Sequence, residues 1–180
     1  MHHVFDESEE HSLRLDGLSS SHGTLTWPHP ASPLLRERAT LVAAVLPNWA
    51  IATAQTAGWV YTGLGRAEPW ALCPPKSPAI SPLQRRHWKP RNPTPEPHEL
   101  QTLCGLTLTT PEKTICDLLV WPGVDEVAAC QLFEMANPHT LQRASERALH
   151  SARTAVAAQR IRVRSALTHK WWDDYPLVTR

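Results

Sequence analysis

The sequence predicts an α/β protein of the α+β kind: a small mixed, partly antiparallel sheet flanked by helices, with a helical C-terminal third. Three observations lead there. Apolar residues recur at spacings of three and four along several stretches, which gives a helix one buried face. Short alternating runs, bounded by proline or glycine, punctuate the first two thirds as strands do. Hydrophobic residues make up 42% and charged residues 19% of 180 residues, enough apolar surface for one core.

In chain order, residues 1–22 are polar and acidic, with the run Asp6-Glu7-Ser8-Glu9-Glu10, and read as a disordered tail. Residues 23–168 read as the folded domain. Thr24-Leu25-Thr26-Trp27 alternates as a short strand, and Pro28 breaks it. Ser32-Pro33 reads as N-cap and first turn of a helix through Leu34, Leu35, Arg38, Leu41, Val42 and Val45, stopped by Pro47-Asn48. A second helix is expected from Ala52 to Tyr61, with Gly63 and Gly65 behind it. Residues 69–97 hold nine of the seventeen prolines and a single acid, Glu96. Trp70-Ala71-Leu72-Cys73 and Arg86-His87-Trp88 are the best short strands there, too proline-bound for long ladders.

Leu103 to Leu108 partly alternates and predicts a strand. Thr110-Pro111-Glu112 then opens a helix: threonine caps, proline fixes the first turn, and glutamate sits at the positive end of the dipole. Further helices are expected over Asp125–Met135, Thr140–His150 and Ala155–Leu167, and the weak break at His150-Ser151 allows the last two to merge. Residues 169–180 form an aromatic tail, Trp171-Trp172-Asp173-Asp174-Tyr175-Pro176, read as a clamp onto the domain or a partner-binding hook.

Net charge is +1, so the whole chain is not a strong polyanion binder. Its distribution is uneven. Residues 1–40 hold six acids and three bases, whereas 141–180 hold eight bases and three acids. On one continuous helix, at about 100° per residue, Arg143, Arg147, His150, Arg153, Arg160 and Arg164 share an arc of about 140°, a stripe able to track phosphates. A second basic stretch, Arg85-Arg86-His87-Trp88-Lys89, combines charge with one stacking aromatic. For both, a solvated face is the plain alternative.

The four cysteines, Cys73, Cys104, Cys116 and Cys130, form no CxxC pair and read as reduced thiols. With His139 they match no standard zinc spacing. Neither a secretory signal nor a run long enough to cross a bilayer is legible, so a cytoplasmic location and no membrane partner are expected. No G-x-S-x-G, Walker loop or D-x-D occurs, so no catalytic residues and no cofactor are expected.

Three stretches, in order, carry a resemblance: Arg36–Leu46 followed by Thr53-Ala54-Gln55-Thr56-Ala57-Gly58-Trp59-Val60-Tyr61-Thr62-Gly63; Trp70–Pro74 with Arg85-Arg86-His87-Trp88; and Gly105-Leu106-Thr107-Leu108-Thr109-Thr110-Pro111-Glu112-Lys113-Thr114-Ile115-Cys116-Asp117-Leu118-Leu119. Together they resemble the second domain of actinobacterial AbiEi-like proteins, antitoxins of type IV toxin–antitoxin systems. Lys113 stands where that pattern usually has arginine, and Asp117 holds its acidic position. The resemblance implies an antitoxin-like transcriptional regulator with a nucleotidyltransferase-type toxin as partner and operator DNA as a further one. Full-length members open with a winged helix; residues 1–30 are too short and polar for one. Thr110, Lys113 and Asp117 would be partner-docking or structural. Lys113 and Asp117, four apart on one helix, read first as an ion pair. The alternatives are a nucleic-acid-binding module without a toxin partner and an unrecognised enzyme, such as a degenerate nuclease-associated protein.

Overall fold

A computed structural model describes residues 19–22, 25–28, 34–63, 67–77, 79–91, 93–120, 138–152 and 154–174. The elements, in order, are β1 (Ser19–His22), β2 (Leu25–Pro28), α1 (Leu35–Val45), β3 (Ile51–Ala52), α2 (Ala54–Thr62), β4 (Leu72–Cys73), α3 (Pro82–Trp88), a single 3-10 turn (Pro97–Glu99), β5 (Leu100–Leu103), β6 (Leu106–Thr109), α4 (Pro111–Val120), α5 (Pro138–Ser151) and α6 (Ala155–Asp174). The fold is α+β with a helical C-terminal part, as the pattern predicts.

The main sheet has four strands in the order β4-β3-β6-β5. β3 runs parallel to β6 and antiparallel to β4, and β5 pairs antiparallel with β6, so the sheet is mixed. β1 and β2 form a separate antiparallel hairpin in which Ser20 pairs with Trp27. Ser19–His22 therefore belongs to a strand, where composition suggested the end of a disordered tail.

β3 and β4 have only two residues each. Ile51 and Ala52 are both buried, and the chain turns into α2 at once. The sequence pattern gives Ala52 to the helix instead, since two buried residues carry no period. Leu103–Leu108 is likewise two strands: Cys104 and Gly105 take left-handed φ values of 49° and 82°, the geometry of a two-residue hairpin turn. α1 begins at Leu35 rather than Pro33, where the Glu37 carboxylate accepts from Leu34 N at 2.7 Å.

The core lies between the sheet and α1, α2, α4 and the two C-terminal helices, and its largest sealed side chains include Trp59, Leu72, Leu108, Ile115, Leu118, Leu119 and Ile161. Arg38 enters this core from α1. Its Nε donates to Val60 O at 2.8 Å and its Nη2 to Tyr61 O at 2.9 Å, so the guanidinium caps the last carbonyls of α2. Gly63 ends that helix at φ 74°, and a β-carbon there would stand 2.9 Å from Arg38 Nη1. α4 packs against α2, α5 and α6, which places its N-terminal turn at the junction of sheet and helical layer.

α5 and α6 are two helices. Ser151 Oγ donates to Ala148 O at the end of one, and Thr154 Oγ1 accepts from Ala157 N at the start of the next. Folding back lets Ala144 and Ala148 of α5 reach the same core as Ile161 of α6, which one straight rod would not. α6 continues to Asp174, so 169–174 extends a helix instead of forming a separate tail. The predicted helix Asp125–Met135 and residues 175–180 lie outside the described residues.

Candidate functional site

The Thr109–Leu119 stretch builds a sheltered polar knot where β6 becomes α4. Thr114 N donates to Thr110 O at 2.8 Å and Lys113 N reaches Thr110 Oγ1 at 3.4 Å, which closes the first turn. Thr109 and Thr114 hydroxyls meet at 2.7 Å, and both residues are fully buried. One turn on, Lys113 Nζ donates to Asp117 Oδ1, with the two side chains only 17% and 11% exposed. Thr53, fully buried at the β3–α2 turn, donates its hydroxyl to Asp117 Oδ2 at 2.5 Å. That turn carries strain: Ala54 takes φ 40°, a left-handed value costly for any residue with a β-carbon. Asp117 thus ties α4 to the strand entering α2.

A second pair lies beside it. Glu99, buried at the head of β5, takes Arg147 Nη2 of α5 on Oε1 at 2.6 Å and Glu96 N on Oε2 at 2.6 Å. Its carbonyl accepts Thr110 N at 2.8 Å. Tyr61 donates to Thr109 O at 2.5 Å and accepts from Gln101 Nε2 at 2.5 Å. Sequence reasoning missed Thr53, Glu99, Tyr61 and Arg38 as network members, because each depends on partners at least 22 residues away.

Burial governs the electrostatics of this knot. It raises the Asp117 carboxyl above the ordinary carboxylate value, against the opposing pull of Lys113 and of the Thr53 hydroxyl. For Lys113, burial pulls downward, but the adjacent Asp117 carboxylate prevails and holds the ammonium above its usual value. Burial pushes the Cys73 thiol up to about 12 and the Cys116 thiol up to about 11. Thiols shifted that way are inert as nucleophiles. The Thr53 hydroxyl has a carboxylate acceptor but no exposed surface to meet a substrate. Lys113 and Asp117 pair as their four-residue spacing predicts, with Thr110 closing the turn before them.

The predicted C-terminal arginine stripe is divided between two helices. The break between α5 and α6 separates its two halves. Arg143 is drawn to Glu112 Oε2 at 3.0 Å, and Arg147 to Glu99. His150 lies exposed at the end of α5, and Arg160 on α6 is exposed. Arg153 and the Arg164 side chain lie outside the described residues.

The other basic stretch gains what the stripe loses. Arg86-His87-Trp88, expected as a strand, is the end of helix α3. The overlooked signal is a capping box: Ser81 Oγ accepts Gln84 N at 3.2 Å while Gln84 Oε1 accepts Ser81 N at 3.1 Å, with Pro82 in the first turn. Lys89 closes the helix in the left-handed conformation. Half-buried Trp88 packs on the core and anchors α3, and His87 meets its ring edge-on at 5.1 Å. The rest of the helix is exposed, Leu83 to 76%. Among the described residues, Arg85, Arg86 and Lys89 have no carboxylate partner, whereas Lys76 is bound to Glu96 at 2.7 Å. Arg91 is also exposed, and its backbone N–H donates to Leu72 O at the sheet edge.

Among the described residues no helix is long and apolar enough to cross a membrane, and no cluster of three or more His, Cys, Asp or Glu side chains is placed to hold a metal ion. No protein-family model, curated protein or solved structure matches the chain.

Proposed function

We propose that the protein is an antitoxin-like regulator that works by binding, and that it meets the phosphates of nucleic acid through α3 and its flanks. One observation carries the reading. Lys113 pairs with Asp117, and exposed Arg147 pairs with buried Glu99, while among the described residues Arg85, Arg86 and Lys89, on an anchored surface helix and its C-terminal cap, have no carboxylate partner. Cations free of an internal partner are those that release counterions from a polyphosphate. The AbiEi-like order of segments supplies the rest: a regulator whose ligands are operator DNA and a nucleotidyltransferase-type toxin, and whose own chain performs no reaction.

The test is a fluorescence-anisotropy titration of the purified chain on duplex DNA from upstream of its own reading frame. Three phosphate contacts predict a fall in affinity of roughly 40-fold between ~50 and ~200 mM salt. R85E/R86E should remove that dependence. Affinity equal in wild type and R85E/R86E overturns the DNA reading. Co-expression with the adjacent reading frame tests the toxin partner separately; failure to co-purify with a nucleotidyltransferase leaves the reading of a nucleic-acid-binding module alone.

A further inference from the structure

α6 presents a second surface, unrelated to α3. At about 100° per residue, Val156, Arg160 and Val163 share an arc of about 60° on that helix. Ile161 and Ser165 lie on the opposite side, where Ile161 is buried and Ser165 Oγ meets Ser145 Oγ of α5 at 3.1 Å. The stripe therefore faces directly away from the core. Val156 is 71% exposed and Val163 47% exposed, each a β-branched residue that solvent does not favour. Gln159, Arg160 and Arg162 around them are exposed too. In the sequence the same spacing runs on to Leu167 and Lys170.

The geometry points to this stripe as a docking face for an acidic amphipathic helix of another protein. Valines seven apart with a residue four along from the first form the repeat that one helix offers to another. The charge selects the partner. From Ala155 to Trp172 the sequence carries Arg160, Arg162, Arg164 and Lys170 and no acid. A second copy of this chain would set those cations against their own kind, which a helical seam disfavours. A phosphate backbone would gain from the arginines but nothing from the valines at the centre of the face. A partner helix with leucine or isoleucine in its seam and glutamate at its flanks satisfies both features. This inference does not rest on the nucleic-acid reading of α3.

The probe is a fluorescein-labelled synthetic helix with leucine at the seam positions and glutamate at the flanking ones, titrated with the full chain. The control peptide carries lysine in place of glutamate. The wild-type chain should bind the acidic peptide and not the basic one. V156S/V163S should weaken that binding about tenfold or more, as loss of a central apolar anchor does. R160E should weaken it about tenfold and bring in binding of the basic peptide. R85E/R86E should leave it unchanged, which separates this face from α3. Both positions are exposed, so unchanged thermal melts should accompany the variants. The inference is overturned if the acidic peptide fails to bind, or if it binds V156S/V163S and R160E as well as wild type. It is equally overturned if sedimentation equilibrium shows a dimer that V156S/V163S dissolves, or if V156S/V163S weakens duplex DNA as R85E/R86E should.

Discussion

Among the described residues Lys113 is the cation bonded to Asp117; Lys113→Met removes it and leaves a carboxylate whose side chain is 11% exposed, with the Thr53 hydroxyl as its donor from the β3–α2 turn. Uncoupling a buried pair in this way costs about 3–5 kcal/mol if the orphaned charge persists. Asp117 has an escape, however: it can take up a proton. Protonating a carboxyl of ordinary value 3.8 near pH 7 costs about 4 kcal/mol, at 1.36 kcal/mol per pH unit. The destabilisation therefore has a ceiling of about 4 kcal/mol near neutrality, and the ceiling falls with pH. The sign follows from linkage. In the variant, folded Asp117 holds its proton to a higher pH than the unfolded chain does. Stability is then greatest below the unfolded value and is lost as pH rises through the raised folded one. Wild-type Asp117 is already shifted in that direction by burial, but over a narrower window because Lys113 opposes it. The assay is urea unfolding followed by tryptophan fluorescence at about pH 7 and about pH 5, where the cost should shrink by roughly 2–3 kcal/mol. Lys113→Met with Asp117→Asn should recover most of the loss at both values. A cost that does not change with pH, or a double variant no better than the single one, refutes the claim that Lys113 compensates a buried carboxylate.

Two further predictions concern stability and thiol chemistry. Gly63→Ala should cost about 2–4 kcal/mol, from the left-handed φ and from displacing a hydrogen-bonded guanidinium, read as a shift in urea midpoint; in an Arg38→Met background only the backbone share of about 1 kcal/mol should remain. In a Cys130→Ser background, a thiol reagent near pH 8 should modify exposed Cys104 in the folded protein at once, while Cys73 and Cys116, buried and shifted up, should react only on unfolding.

Much of this fold was legible locally. The Thr110-Pro111-Glu112 start of α4, the Gly63 stop of α2 and the Lys113–Asp117 pair are all contained within a few residues, so propensity and spacing find them. The misreadings share a cause of the opposite kind. β3 has two residues and is a strand only because β4 and β6 flank it. The hairpin turn at Cys104-Gly105 interrupts an alternation that looked continuous. α3 was hidden by its prolines, although Ser81-Pro82-Leu83-Gln84 spells its cap. The division of α5 from α6 is decided by tertiary packing, since Ile161 reaches the core only if the chain folds back. For the surface, sequence identified both basic stretches but could not rank them, because the partners that neutralise Arg143 and Arg147 lie 31 and 48 residues earlier.

That ranking can be put on an energetic footing. A cation serves an external anion only to the extent that it can leave its internal partner. Withdrawing Arg147 would strand the Glu99 carboxylate, 6% exposed, at a cost of about 3–5 kcal/mol, more than a single phosphate contact returns. Arg143 and Glu112 are 57% and 30% exposed, and an exposed pair of that kind is worth about 0.2–1 kcal/mol, so parting from Glu112 itself costs Arg143 little. Among the described residues, Arg85, Arg86 and Lys89 leave no internal carboxylate behind. Alanine substitutions should therefore reduce the salt dependence of DNA binding most at Arg85, Arg86 and Lys89, less at Arg143, and not at Arg147, whose replacement should instead lower the unfolding free energy. If Arg147→Ala flattens the salt dependence while Arg85→Ala and Arg86→Ala do not, the internal pairing does not set the order, and the interface belongs on the α5 side of the molecule.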